Sequence, residues 1–179
     1  SITFKRNLRT PNARYEGTAM KHTAMPLTVL FILLLSSPSW CETVSWSDLV
    51  KRNDLYFEKF TDVPLTAEVS GQFNGQIKNG KKEGFWREYH DNGQLYEKIY
   101  FKDGIRQTYE KYYKSGLLDG KGNFKHDNLD GLWTWYHENG NLHLRVTYTN
   151  GSKHGLEECF NTDGSLQFRY RFKDGVKVE

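Results

Sequence analysis

The sequence predicts an all-β chain: an elongated antiparallel sheet of successive β-hairpins, led by a short helix that follows an export signal. Three observations carry this. A unit of 23 to 24 residues repeats from Gly84 to the C-terminus, with turn glycines at Gly93, Gly116, Gly140 and Gly164. Apolar and polar residues alternate with period two on either side of each glycine, as half-buried strands require. Finally, aromatic residues make up 15% of the 179 residues beside 16 glycines, a balance suited to strands and tight turns rather than to a solvated coil.

The elements follow in chain order. Met20, Lys21 and His22 precede an apolar run from Leu27 to Leu35 and then Ser36, Ser37, Pro38 and Ser39, the order of a secretory signal peptide over residues 20–41. The run is about half of the ~20 residues a membrane-spanning helix requires. Cleavage is expected after Ser39 or Cys41. A lipid anchor on Cys41 fits less well, because Pro38 and Trp40 hold the positions where that modification favours Leu and a small residue. Residues 1–19 read as translation upstream of the true start. Five of the 25 basic residues and one of the 22 acidic residues lie before residue 42, so 20 and 21 remain and the formal charge of +3 becomes −1. The basic footprint of nucleic-acid binding is therefore absent, and a lone Cys159 leaves no disulfide framework.

Residues 42–65 form a cap segment. Ser45 to Lys51 reads as a short helix capped by Ser45 or Ser47, with Asp48 near its positive end. Leu49, Val50 and Leu55 are expected to shield the first sheet edge, which an open array must protect.

Residues 66–179 carry a partial unit and then units starting at Gly84, Gln107, Gly131 and Gly155. Within the third unit, a three-residue loop with Gly140 in the left-handed region pairs His137 with Asn141 and Tyr136 with Leu142. Simple alternation from that pairing puts Leu132, Thr134, Tyr136, Leu142, Leu144, Val146 and Tyr148 on one core face. The opposite face then holds Trp86, Glu88, Tyr96, Lys98, Tyr100, Tyr109, Lys111, Tyr113, Trp133, Trp135, Arg145 and Thr147. Trp86, Tyr109, Trp133 and Trp135 are the candidate partner-binding residues, since Trp and Tyr dominate binding hot spots. The alternative role for those rings is to cover a single-layer sheet and stack on cross-strand neighbours.

These units resemble the MORN-variant repeat. Gly84-Phe85-Trp86-Arg87-Glu88-Tyr89 leads to Asn92-Gly93-Gln94-Leu95, and Gly131-Leu132-Trp133 leads through Tyr136 to Asn139-Gly140-Asn141-Leu142, Asn150-Gly151 and His154-Gly155. The lead-in from Leu55 to Thr66 is similar to that of the bacterial YwqK family, whose members are named as antitoxin components. The resemblance implies an elongated hairpin sheet that binds another protein and has no active site. In the second unit Gln107 replaces the leading Gly, and Asp127-Asn128 stand where Asn-Gly is expected.

No site for catalysis, cofactor or metal is predicted. The glycines belong to turns rather than to a phosphate-binding loop. His90, His126, His137, His143 and His154 form no close pair with ligand spacing. Cys159, read as lying opposite the core face, has no evident base, and Glu157 and Glu158 read as solvated strand residues. The expected function is an exported, non-enzymatic, antitoxin- or immunity-like scaffold for a protein partner. The alternative is contact with envelope polymer or lipid head groups through the aromatic face. A hydrolase using Cys159 or a histidine ranks below both.

Overall fold

The computed structural model describes residues 42–178; residues 1–41, where an upstream extension and an export signal are expected, lie outside the described residues. The expected hairpin array is present. Strands β1 (Thr43–Ser45), β2 (Leu49–Arg52), β3 (Leu55–Glu58), β4 (Ala67–Ser70) and β5 (Phe73–Lys78) precede the repeats. Four repeat hairpins follow: β6 (Lys81–Tyr89) with β7 (Leu95–Lys102), β8 (Ile105–Tyr112) with β9 (Leu118–Lys125), β10 (Asn128–Tyr136) with β11 (Leu142–Thr149), and β12 (Ser152–Phe160) with β13 (Leu166–Lys173). A two-residue strand, β14 (Val176–Lys177), closes the series. Twelve strands form one sheet in the order β1-β4-β5-β6 and onward sequentially to β14, while β2 and β3 make a separate pair.

Two turn types alternate. Between units, Asn79-Gly80, Asp103-Gly104, Asn150-Gly151 and Asp174-Gly175 all have positive φ at both positions, the geometry of a two-residue hairpin turn whose twist matches the strands. In the second unit that turn falls on His126 and Asp127, with φ of 51° and 63°, and not on Asp127-Asn128 as the spacing suggested. Without glycine the turn is braced from the side: Arg106 donates to Asp127 Oδ1 from its backbone N at 3.2 Å and from Nε at 3.0 Å. Within units, the three-residue loop is as expected. His137 N donates to the Asn141 carbonyl and Gly140 N to the His137 carbonyl, each at 2.8 Å, and the same pair of bonds recurs around Gly93, Gly116 and Gly164.

The faces differ from simple alternation because of bulges. Tyr136 opposes Leu142, yet Trp135 opposes Leu144, so His143 is an extra residue. That single insertion turns Leu144 and Val146 onto the face of Trp133 and Trp135, and leaves Leu132 and Thr134 with Thr147 and Arg145. A wider irregularity sits at each leading glycine. Gly84, Phe85 and Trp86 stand between the pairs Gln76–Glu83 and Asn74–Arg87, where β5 has only Gly75. The same occurs at Gly131 and Gly155, all three glycines having φ between 69° and 102°. At Gln107 the insertion shrinks to one residue, since a residue with a Cβ disfavours that backbone.

The N-terminal segment departs from expectation. Instead of a helix over Ser45–Lys51 there is one 3-10 turn, Trp46–Asp48, flanked by β1 and β2. Ser45 makes no capping bond; its Oγ pairs with Ser47 Oγ at 2.8 Å. β1 runs parallel to β4 and forms the sheet edge. The β2–β3 pair covers a face rather than an edge, with Leu49 and Tyr56 packed on a core of Val44, Leu65, Ala67, Val69, Ile77, Trp86 and Phe101.

Candidate binding faces

The tryptophans proposed as contact residues lie in the packed face. Trp86 and Trp133 are 3% and 4% exposed. Each lies across a glycine of the preceding strand: a Cβ on Gly75 would meet the Trp86 ring at 2.5 Å, and one on Gly122 the Trp133 ring at 2.1 Å. Each indole also donates its Nε1 hydrogen to a backbone carbonyl, Trp86 to Gln76 at 3.1 Å and Trp133 to Asn123 at 3.0 Å. Gly75 and Gly122 stand eleven residues before their tryptophans, a readable signal that alternation alone does not use. Tyr109 stacks on Trp133 with centroids 5.6 Å apart, and Trp135 follows at 5.8 Å; both are half-buried. Burial leaves Trp86 and Trp133 no surface to offer a partner, and the rings act as the covering of the sheet.

Of the twelve residues expected on one aromatic face, Tyr96 is the extra residue at the start of β7 and Tyr113 follows β8, and the other ten divide. Trp86, Glu88, Tyr109, Lys111, Trp133 and Trp135, from first strands, share the packed face, while Lys98, Tyr100, Arg145 and Thr147, from second strands, lie opposite. Cys159 opposes Leu144 and Phe168, which places its buried thiol on the tryptophan side, where Sγ donates to Gln167 Oε1 at 3.1 Å.

Lys82 reaches into the aromatic cluster of the packed face. Lys82 Nζ sits 4.1 Å from the centre of the Trp86 ring, and 5.1 Å from both Trp46 and Phe101. Burial against these rings pushes its pKa down to about 8, while the nearby Glu97 and Glu88 act in the opposite direction. Burial, and then the opposing Glu88 carboxylate, raise Glu97.

The opposite face carries a continuous polar row across nine strands: Asn74, Arg87, Lys98, Glu110, Lys121, Thr134, Arg145, Glu158 and Arg169, each register partner to the next. Lys98 pairs with Glu110 at 2.5 Å. Glu158, expected to be solvated, is 2% exposed and held between Arg145 and Arg169. Its bond to Arg145 leads in holding the carboxyl below the usual carboxylate range. Glu157 is buried as well and pairs with Lys153. Beside this row stand Phe85, Leu132 and Leu156, exposed by 44%, 53% and 37%. Each directly follows a bulge glycine, and Thr108 holds the same place in the second unit. Sequence reasoning missed this column, although its position after the leading glycine was visible.

The histidines serve the repeat. His90 Nε2 donates to the Tyr112 carbonyl at 2.9 Å and His137 Nε2 to Phe160 at 2.8 Å; Tyr113 does the same through its hydroxyl, to Tyr136 at 2.6 Å. Among the described residues no group of three or more His, Cys, Asp or Glu is placed to hold a metal ion.

Residues 82–103 and 129–150 match the family model described as MORN repeat variant. No curated protein matches the chain. The matched segments cover the hairpins that hold Trp86 and Trp133, so the described residues form an all-β hairpin array in which two units are similar to the MORN repeat variant.

Proposed function

We propose that this chain is an exported, non-enzymatic repeat scaffold that binds a protein partner through the face opposite its tryptophans. The observation that supports this is the exposed column Phe85, Leu132 and Leu156 beside a row with five basic residues and two acidic ones. Adjacent strands lie about 4.8 Å apart, so Leu132 on β10 and Leu156 on β12 stand roughly 10 Å apart. Two turns of α-helix advance about 11 Å. An amphipathic helix with apolar residues every second turn and acidic residues beside them matches both spacing and charge. Export rests on the order of residues 20–41, and an immunity-like role is one form such binding takes.

Capture from an envelope extract on immobilised protein tests the reading. Leu132→Glu combined with Leu156→Glu is expected to reduce partner retention at least tenfold, because buried apolar anchors carry ~2 kcal/mol or more each. Undiminished retention with an intact β-sheet spectrum refutes it. The excess of basic residues in the same row supports a second reading, contact with anionic lipid head groups at about 1 kcal/mol per Lys or Arg. Salt-sensitive sedimentation with anionic vesicles, in the absence of any protein partner, would select it.

A further inference from the structure

Next to the first exposed ring, an open cavity of about 340 Å³ lies on the face opposite the tryptophans, with Gly75 and Gly84 in its lining. Gly75 cannot carry a side chain because Trp86 occupies the far side, and Gly84 is held at φ +69° with open space where a Cβ would point. Around them stand Glu68, Asn74, Gln76, Glu83, Phe85 and Arg87. Glu68 and Glu83 flank Gln76 as its register partners on either side, so their backbones lie about two strand spacings, roughly 10 Å, apart; Glu83 Oε2 accepts from Asp103 N at 2.8 Å and Asn74 Oδ1 from Gly71 N at 3.0 Å. The Phe85 ring is partly exposed, with the Arg87 guanidinium 5.6 Å and Lys98 Nζ 5.3 Å from its centre and the Tyr100 ring 5.0 Å away.

The fold does not require this chemistry. The same bulge recurs 47 residues later, where Asp130 opposes Asn123 and Thr134 opposes Lys121 as Glu83 opposes Gln76 and Arg87 opposes Asn74. There Leu132 replaces Phe85, Thr134 replaces Arg87 and Lys121 replaces Asn74. The first copy alone joins a ring, two amides, two carboxylates and a guanidinium.

We propose that this cavity is a saccharide site taking one or two pyranose rings of a neutral glycan. Planar amide, carboxylate and guanidinium groups supply the mixed acceptors and donors that neighbouring hydroxyls need. The phenyl ring offers an apolar surface for the C–H face of a sugar. The site is open, so affinity in the high micromolar to millimolar range is expected.

The test is titration of the full chain with cellotetraose and with the N-acetylglucosamine tetramer, observed by calorimetry and by ligand-detected NMR. Binding of either glycan, weakened about tenfold by Phe85→Ala and by Gln76→Ala but unchanged by Leu132→Glu with Leu156→Glu, supports the site and separates it from the protein-binding face. No binding of either glycan at 10 mM, or binding that both cavity substitutions leave intact while the sheet spectrum is preserved, overturns it.

Discussion

A single methyl group at Gly122 tests the packing of the tryptophan face. Gly122 has no left-handed φ, and replacing glycine by alanine inside a strand ordinarily stabilises by about 0.5–1 kcal/mol. Here the new Cβ would lie 2.1 Å from Trp133 Cδ2 and 2.2 Å from Cε2, against a contact distance of about 3.5 Å or more. The ring must retreat by more than 1 Å, yet Tyr109, Phe124 and Trp135 hold it, with centroids 5.2 to 5.8 Å away. Overpacking of this kind costs ~1–3 kcal/mol, and straining the indole bond to Asn123 adds up to about 1 kcal/mol. Less the ordinary gain, the expected destabilisation is ~2 kcal/mol, opposite in sign to an ordinary strand glycine. Trp133→Ala alone should cost ~3–5 kcal/mol. In that background Gly122→Ala should become neutral or stabilising, a coupling of 2 kcal/mol or more. Urea unfolding of the four species by circular dichroism measures all of these terms. A neutral Gly122→Ala, or an equal cost with and without the indole, would mean that the Trp133 ring is not packed against Gly122.

Three further outcomes follow from the electrostatics and the inter-unit bonds. Because the folded pKa of Lys82 is lowered to about 8, the folded chain binds fewer protons than the unfolded chain between pH 8 and the ordinary lysine value. Stability therefore rises with pH across that window, by ~1–2 kcal/mol once ring contacts and partial exposure are allowed for. Urea midpoints at pH 7 to 9.5 should show the rise in the parent, and Lys82→Met should abolish it. Glu158 works in the other direction: its lowered pKa gives stability that is present above the ordinary carboxylate range and lost as pH falls through the folded value. Glu158→Gln should cost ~2–3 kcal/mol at pH 7 and flatten the acid limb of the stability curve. Tyr113→Phe removes the bond to Tyr136 and should lower stability by about 1 kcal/mol, with faster amide exchange at the Gly116 turn.

The sequence made the turns legible because each depends on a glycine or asparagine within three residues. Gly140 fixes its loop register, and Asn150-Gly151 announces the opposite turn. The faces were less legible. One extra residue at His143 inverts every position after it, and no residue type marks that insertion. The His126–Asp127 turn was misplaced for a related reason: it keeps two positive φ values without glycine and depends on Arg106 from the neighbouring hairpin, a contact that local sequence does not contain. The expected helix at Ser45–Lys51 gave way because Leu49 and Val50 gain more from pairing with Glu58 and Phe57 over the core than from an isolated turn. Trp86 and Trp133, expected on the aromatic face with covering of the sheet as one of their two roles, take the covering role, and each lies over a glycine of the preceding strand.

The sheet has one packed face and one open face. Hydroxyl-radical footprinting of the protein alone, read by mass spectrometry residue by residue, measures this directly. After correction for intrinsic reactivity, Phe85, Leu132 and Leu156 should oxidise at the rate of exposed residues, while Trp86 and Trp133 should be protected at least tenfold. Rapid oxidation of Trp86 and Trp133 together with protection of Leu132 and Leu156 would mean that the two faces are reversed.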